Sequence, residues 1–214
     1  MKHLTLTIAI LFITLTGFAQ ADKYTLAMQK GLTTIDSAKT TEDYTSAANY
    51  FERIATAESK QWLPIYYVAF NNLHAALVGS QNGETKDAIY DKALAAVDKA
   101  DALAPNNSEI YALKAYIIFM KMSVSPQARA MTMIPQSAAL AEKAIAFNAE
   151  NPRAYLVKGQ QLFYTPEAFD GGKLKAKPVL AIATEKFDSF KAEGLAPTWG
   201  KGRCQTLVKQ ANSY

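Results

Sequence analysis

The sequence predicts an all-α protein, a right-handed α-solenoid of antiparallel helix pairs with about nine helices. Three observations carry that prediction. Polar and apolar residues almost nowhere alternate at period two, whereas apolar residues recur at helical spacing, as in Tyr44, Ala47, Ala48, Phe51, Ile54 and Ala55. Ten glycines and eight prolines in 214 residues are too few for a turn-rich β fold. The pattern also repeats: Tyr67, Tyr111, Tyr155 and Trp199 stand 44 residues apart, and self-similarity at a fixed period of this length marks stacked repeats.

The elements follow in order. Met1-Lys2-His3 is a short basic start, and Leu4 to Phe18 is uncharged and mostly apolar. The small-residue site Ala19-Gln20-Ala21 comes next, which is the layout of a secretory signal peptide cleaved near Ala19–Ala21. An apolar helix of that length, at about 1.5 Å per residue, falls short of a hydrocarbon core of ~30 Å. Residues 1–21 are therefore expected to leave, and 22–214 to form one helical repeat domain that is periplasmic or secreted. No stable membrane span is expected after cleavage.

Helices are expected over 22–39, 41–59, 62–78, 85–104, 108–122, 135–148, 152–164, 174–192 and 198–212. The second starts behind Thr40-Thr41, whose hydroxyls cap, with Glu42 and Asp43 in the first turn where the helix dipole favours them. Pro64, Ser108 and Pro152 stand three before the first three repeated aromatics, and Pro197 two before the fourth. Pro and Ser suit helix starts, so each aromatic is placed in a first turn. The helix before each aromatic carries an acid–base–apolar triplet: Glu52-Arg53-Ile54, Asp98-Lys99-Ala100, Glu142-Lys143-Ala144 and Glu185-Lys186-Phe187, at intervals of 46, 44 and 43. Each helix pair has one wide apolar face that it cannot bury alone, and stacking buries it continuously. The stretch Ser123–Ile134 is read as a long connection, either a lip over a groove or a packed insertion.

On these residues the chain resembles the tetratricopeptide repeat (TPR) family. Tyr111 is followed four later by Ala115 and Tyr155 by Gly159, Ala100 and Ala144 take the second-helix alanine place, and Pro105 takes the terminal place. The resemblance covers 60–165 well and 22–59 and 166–214 loosely. It departs from the family in its 44-residue period, in Asn71, and in Ala149 where the terminal Pro belongs. HEAT or armadillo repeats, at about 40–47 residues, are the architectural alternative. The signal peptide and irregular repeats also look like small exported bacterial TPR-like proteins, a likeness that supplies no catalytic residue.

Composition narrows the chemistry. One Cys excludes a disulfide framework and a thiolate zinc site, and His74 is the only His outside the first three residues. Cys204 is read as a partly buried free thiol. No Walker loop, G-x-G-x-x-G or G-x-S-x-G occurs. Gly171-Gly172 before Lys173 reads as a tight turn or as a phosphate cradle, and resembles the Gly-Gly turn of TPR-like solute-transport accessory proteins of the periplasm. Asn106-Asn107-Ser108 reads as a glycosylation acceptor or a helix cap. Residues 171–214 carry eight basic and three acidic side chains, a net of +5 within an overall +4, which suits an acidic partner or a solvated face.

The expectation is an exported, non-catalytic scaffold that binds a protein or peptide on its concave face, with no enzyme activity, metal, cofactor or nucleic-acid partner. Mapping by the repeated aromatic places Asn72, Tyr116 and Gln160 at one concave position, Phe119 and Phe163 at a second, and Met120 and Tyr164 beside them. Aromatics and methionines on a groove suit a peptide or short helix. The alternative is a periplasmic small-ligand accessory protein with an apolar pocket between helices, covered by 123–134.

Overall fold

The computed structural model describes residues 22–213; the expected signal peptide over 1–21 lies outside them. Helix α1 covers 22–37. It is followed by α2 (Thr41–Ala57), α3 (Trp62–Val78), α4 (Gly83–Leu103), α5 (Ser108–Met122), α6 (Pro126–Phe147), α7 (Pro152–Tyr164), a 3₁₀ turn (Glu167–Phe169), α8 (Lys173–Ser189) and α9 (Lys201–Asn212). No strand occurs among the described residues.

Side-chain caps set several helix starts. The Thr40 hydroxyl oxygen accepts from Asp43 N at 3.1 Å, and the Asp43 carboxylate accepts from Thr40 N at 3.0 Å, a closed capping box. The backbone N–H groups of Lys39 and Thr40, which both donate to it, hold the Asp43 carboxyl below its usual range. Asn82, Asn107 and Asn151 cap α4, α5 and α7 by accepting from Thr85 N, Glu109 N and Arg153 N. The repeated cap is therefore Asn107/Asn151, 44 residues apart, rather than Ser108/Pro152. The Asn106-Asn107-Ser108 motif is thus a working helix cap.

The helices stack as antiparallel pairs. Helix α3 packs against both α2 and α4, α5 against α6, and α7 against α8, while α3, α5, α7 and α9 touch one another in sequence as an inner row. Burial follows the triplet spacing through the outer helices. Ile54, Ala100, Ala144 and Phe187 are all buried, as are Ala47, Ala93, Ser137 and Leu180 at the same intervals. On the inner row Tyr66, Ile110 and Ala154 are fully buried at 44-residue steps, and so are Ala69 and Leu113. Each large apolar side chain withdrawn from water in this way stabilises by about 1.5–3 kcal/mol. Small residues bring the backbones close: a Cβ on Gly159 would sit 2.6 Å from Leu180 Cδ2.

Three expectations are corrected. First, Ser123–Ile134 is no long connection. Helix α6 begins at Pro126, which at N1 gives up only an orphan N–H, and runs through Pro135 to Phe147. Pro135 lacks the N–H that would reach back to Met131, and Gln161 Nε2 ties this stretch to α7 by donating to the Ile134 carbonyl at 2.8 Å. Second, the four repeated aromatics do not share one environment. Tyr111 and Tyr155 lie in first turns, but Tyr67 is in the second turn of α3, stacked on Phe51 at 5.0 Å. Trp199 precedes α9 altogether and enters the inner row. Third, Cys204 is fully buried.

Candidate ligand-binding groove

The inner row is partly filled by the protein's own chain. Between α8 and α9, residues 190–200 turn inward. Phe190 lies against the Arg153 guanidinium at 4.4 Å, the Leu195 carbonyl accepts from Tyr67 Oη at 3.4 Å, and Trp199 Nε1 donates to Tyr66 Oη at 2.7 Å. The Trp199 ring also meets Phe70 at 5.7 Å and Tyr116 at 6.1 Å, so one side chain touches α3 and α5. Arg153 itself is fully buried and makes two 2.6 Å bonds to the Glu109 carboxylate. A buried charge is tolerable only when paired in this way.

Beside that plug the helices leave a cavity of about 940 Å³, at the upper end of ordinary small-molecule sites of roughly 300–1,000 Å³. Helix α3 lines it with His74, Leu77 and Val78, and α5 with Tyr116, Phe119, Met120 and Met122. The first half of α6 supplies Pro126, Gln127, Ala130, Met131 and Ile134, and α7 and its exit supply Gln160, Tyr164, Pro166 and Phe169. Arg203 reaches in from α9. Four large side chains on this lining are exposed: Met131 at 75%, Phe169 at 53%, Tyr164 at 51% and Val78 at 47%. Apolar groups clustered around one concavity mark a binding surface, whereas scattered ones do not.

The α6 wall is anchored from outside. Arg129 donates to both Asp87 carboxylate oxygens at 2.6 Å and to the Lys121 carbonyl at 3.0 Å, which ties α6 to α4 and α5. That guanidinium holds the Asp87 carboxyl below its usual range. His74 lies between Phe70, at 4.1 Å, and Tyr44, at 5.3 Å. Its Nδ1 faces the Phe70 carbonyl at 2.9 Å, so Nδ1 carries the proton and Nε2 the lone pair. Burial pushes its pKa down from the ordinary 6.5, which keeps the ring neutral.

Five of the seven side chains expected on a concave groove line this cavity: Tyr116, Phe119, Met120, Gln160 and Tyr164. Asn72 does not. It lies on another side of α3, in a trough shared with α2 and α4, because the α3 edge turned toward the cavity carries His74, Leu77 and Val78. Phe163 does not either: it packs on the α7–α9 core, edge-on to Tyr164 at 4.9 Å, with Lys173 Nζ 5.5 Å from its ring. The stretch 123–134, expected as a lip or cover over a groove, does line the cavity, but as the first half of α6, which Pro135 masks as a helix in the sequence.

The Gly171-Gly172 segment is a turn. Gly172 takes φ 107 and its N–H donates to the Leu162 carbonyl at 2.9 Å, while Gly171 N–H donates to Pro166 at 3.1 Å. Both amides are therefore already engaged. Burial raises the Cys204 thiol pKa, so the thiolate is disfavoured. Among the described residues no group of three or more His, Cys, Asp or Glu could hold a metal ion, and no helix is long and apolar enough to cross a membrane.

No protein-family model and no curated protein matches the chain. Solved structures share its fold, two of which are informative. The HusA haemophore from Porphyromonas gingivalis superposes with a TM-score of 0.80 and 29% identity, over 89% of this chain and 93% of that one. A thermophilic TPR protein of Thermus thermophilus superposes with a TM-score of 0.63 and 14% identity, over 89% of this chain and 81% of that one. The second likeness shows the fold alone. The chain is thus an all-α, TPR-like helical repeat of a form that a ligand-carrying protein also uses.

Proposed function

We propose that this protein is an exported, non-catalytic ligand carrier whose groove takes a flat, largely apolar tetrapyrrole of the haem type. The observation that carries this reading is the cavity of about 940 Å³ rimmed by exposed Met131, Phe169, Tyr164 and Val78. The 29% identity with a haemophore over nearly the whole of both chains supports the ligand class. Export rests on the signal-peptide layout of residues 1–21.

The lining fits such a cargo. Aromatic and methionine side chains supply polarizable contact to a planar ring system. Haem brings an iron that accepts nitrogen or thioether donors. The donors in the lining are the neutral imidazole of His74 and the sulfurs of Met120, Met122 and Met131. A non-catalytic role fits a site whose single imidazole is tied back to a carbonyl and whose single thiol is buried elsewhere. The scaffold expectation ranks behind this one, because residues 190–200 already fill part of the inner face that a peptide would need.

The test is titration of the purified protein with haemin, followed by the Soret band and by tryptophan fluorescence. Saturable binding is expected. Met131→Glu, a charge set on an exposed lining position, should weaken it about tenfold or more. The absence of saturable binding, or full binding by Met131→Glu, overturns the assignment.

A further inference from the structure

The groove lining is mostly apolar, and among the described residues Arg203 is the one charged side chain in it. Its guanidinium is held in place: Nε donates to Gln160 Oε1 at 2.8 Å and one Nη to Tyr164 Oη at 2.8 Å. The cation also lies 5.6 Å from the Tyr164 ring centroid. All of these partners are neutral.

The contrast with the other fixed arginines is informative. Arg129 and Arg153 each grip a carboxylate through two bonds, to Asp87 and Glu109. No carboxylate pairs with Arg203 among the described residues. Its Nη donors are not all used by protein acceptors, and a guanidinium is a planar fork that matches a carboxylate. Two neutral oxygens orient the fork at the edge of the cavity, where the exposed guanidinium faces solvent with no carboxylate beside it among the described residues. A wholly apolar ligand would desolvate this charge without repaying it.

We infer that Arg203 is the anchor for a carboxylate on the ligand's edge, so that the cargo is an apolar ring system bearing at least one acid group. This rests on the carrier reading above and adds the head group and its residue. Gln160 and Tyr164 are positioning residues that hold the fork. Porphyrins with propionate side chains have this chemistry, and they need no iron to display it.

The experiment compares protoporphyrin IX with its dimethyl ester, both delivered from dimethyl sulfoxide, on the full protein and on Arg203→Ala. The acid should bind the wild type roughly three- to tenfold more tightly than the ester, the size expected for one charge-assisted pair at a partly wet rim. Arg203→Ala should remove that preference, so that acid and ester bind the variant alike. Arg203→Gln, which keeps side-chain length and amide donors, gives the same comparison should the alanine variant disturb the groove. Equal binding of acid and ester by the wild type, or a preference that survives both variants, overturns the anchor and leaves the carrier reading standing. Failure of both compounds to bind overturns the two together.

Discussion

Trp199 and Tyr66 are joined by a 2.7 Å hydrogen bond from the indole Nε1 to a fully buried phenol oxygen, across 133 residues of chain. This bond fastens the segment between α8 and α9 to α3, at the other end of the inner row. The array thereby carries its own chain on part of its inner face, beside the groove.

Trp199→Phe keeps most of the ring and removes the donor. It should cost about 1–2 kcal/mol, since the buried Tyr66 oxygen loses its partner. Trp199→Ala also leaves a cavity between α3 and α5 and should cost about 3–5 kcal/mol. Urea unfolding followed by circular dichroism measures both. Wild-type stability in both variants would show that this segment is not fastened to α3.

The Glu109–Arg153 pair should behave as a buried unit. Glu109→Ala leaves a fully buried guanidinium without its carboxylate and should destabilise by about 3–5 kcal/mol. Adding Arg153→Met should recover much of that loss, because the uncompensated charge then disappears. A double-mutant cycle reads the coupling, and additive losses would contradict the pairing.

His74 should make stability depend on pH in a defined direction. Its folded pKa lies below the ordinary 6.5 because burial disfavours the cation. The unfolded chain therefore binds a proton more readily in the window below 6.5. The contribution is fully present above that pH and is lost as pH falls toward the folded value. Unfolding midpoints of wild type and His74→Phe, measured between pH 7.5 and roughly 5, should separate the slopes, with the steeper decline in the wild type. Parallel slopes would remove His74 as the cause.

Gly159 is a packing requirement. Gly159→Ala places a methyl 2.6 Å from Leu180 Cδ2, and overpacking of this kind costs about 1–3 kcal/mol. Leu180→Val in the same chain should return part of it. Thermal unfolding of the single and double variants checks this, and no rescue would mean that α7 and α8 have moved apart.

Much of the architecture was legible along the chain because repeat burial is a periodic property. The steps of 46, 44 and 43 that relate Ile54, Ala100, Ala144 and Phe187 are visible in residue types, and the same steps appear as buried positions. The site was legible in part for the same reason. Tyr116, Phe119, Met120, Gln160 and Tyr164 lie on inner helices whose register the repeat sets. Local patterning, capping residues and the poverty of His and Cys thus determined the helices, their pairing and the narrow chemistry.

Tertiary structure decided the rest, wherever an outcome depended on packing between distant segments. Pro135 reads as a break, yet contacts to α4, α5 and α7 carry α6 straight through it and turn an expected connection into a wall. Trp199 keeps the repeat spacing and departs from the repeat environment, because the chain after α8 finds buried partners on α3 that no local rule encodes. Arg203 looks like one more basic residue until Gln160 and Tyr164 fix it at a groove edge with no acid opposite among the described residues. Periodicity is written in neighbouring residues, whereas a plug, a wall and an unpaired charge exist only once segments remote in the chain have met.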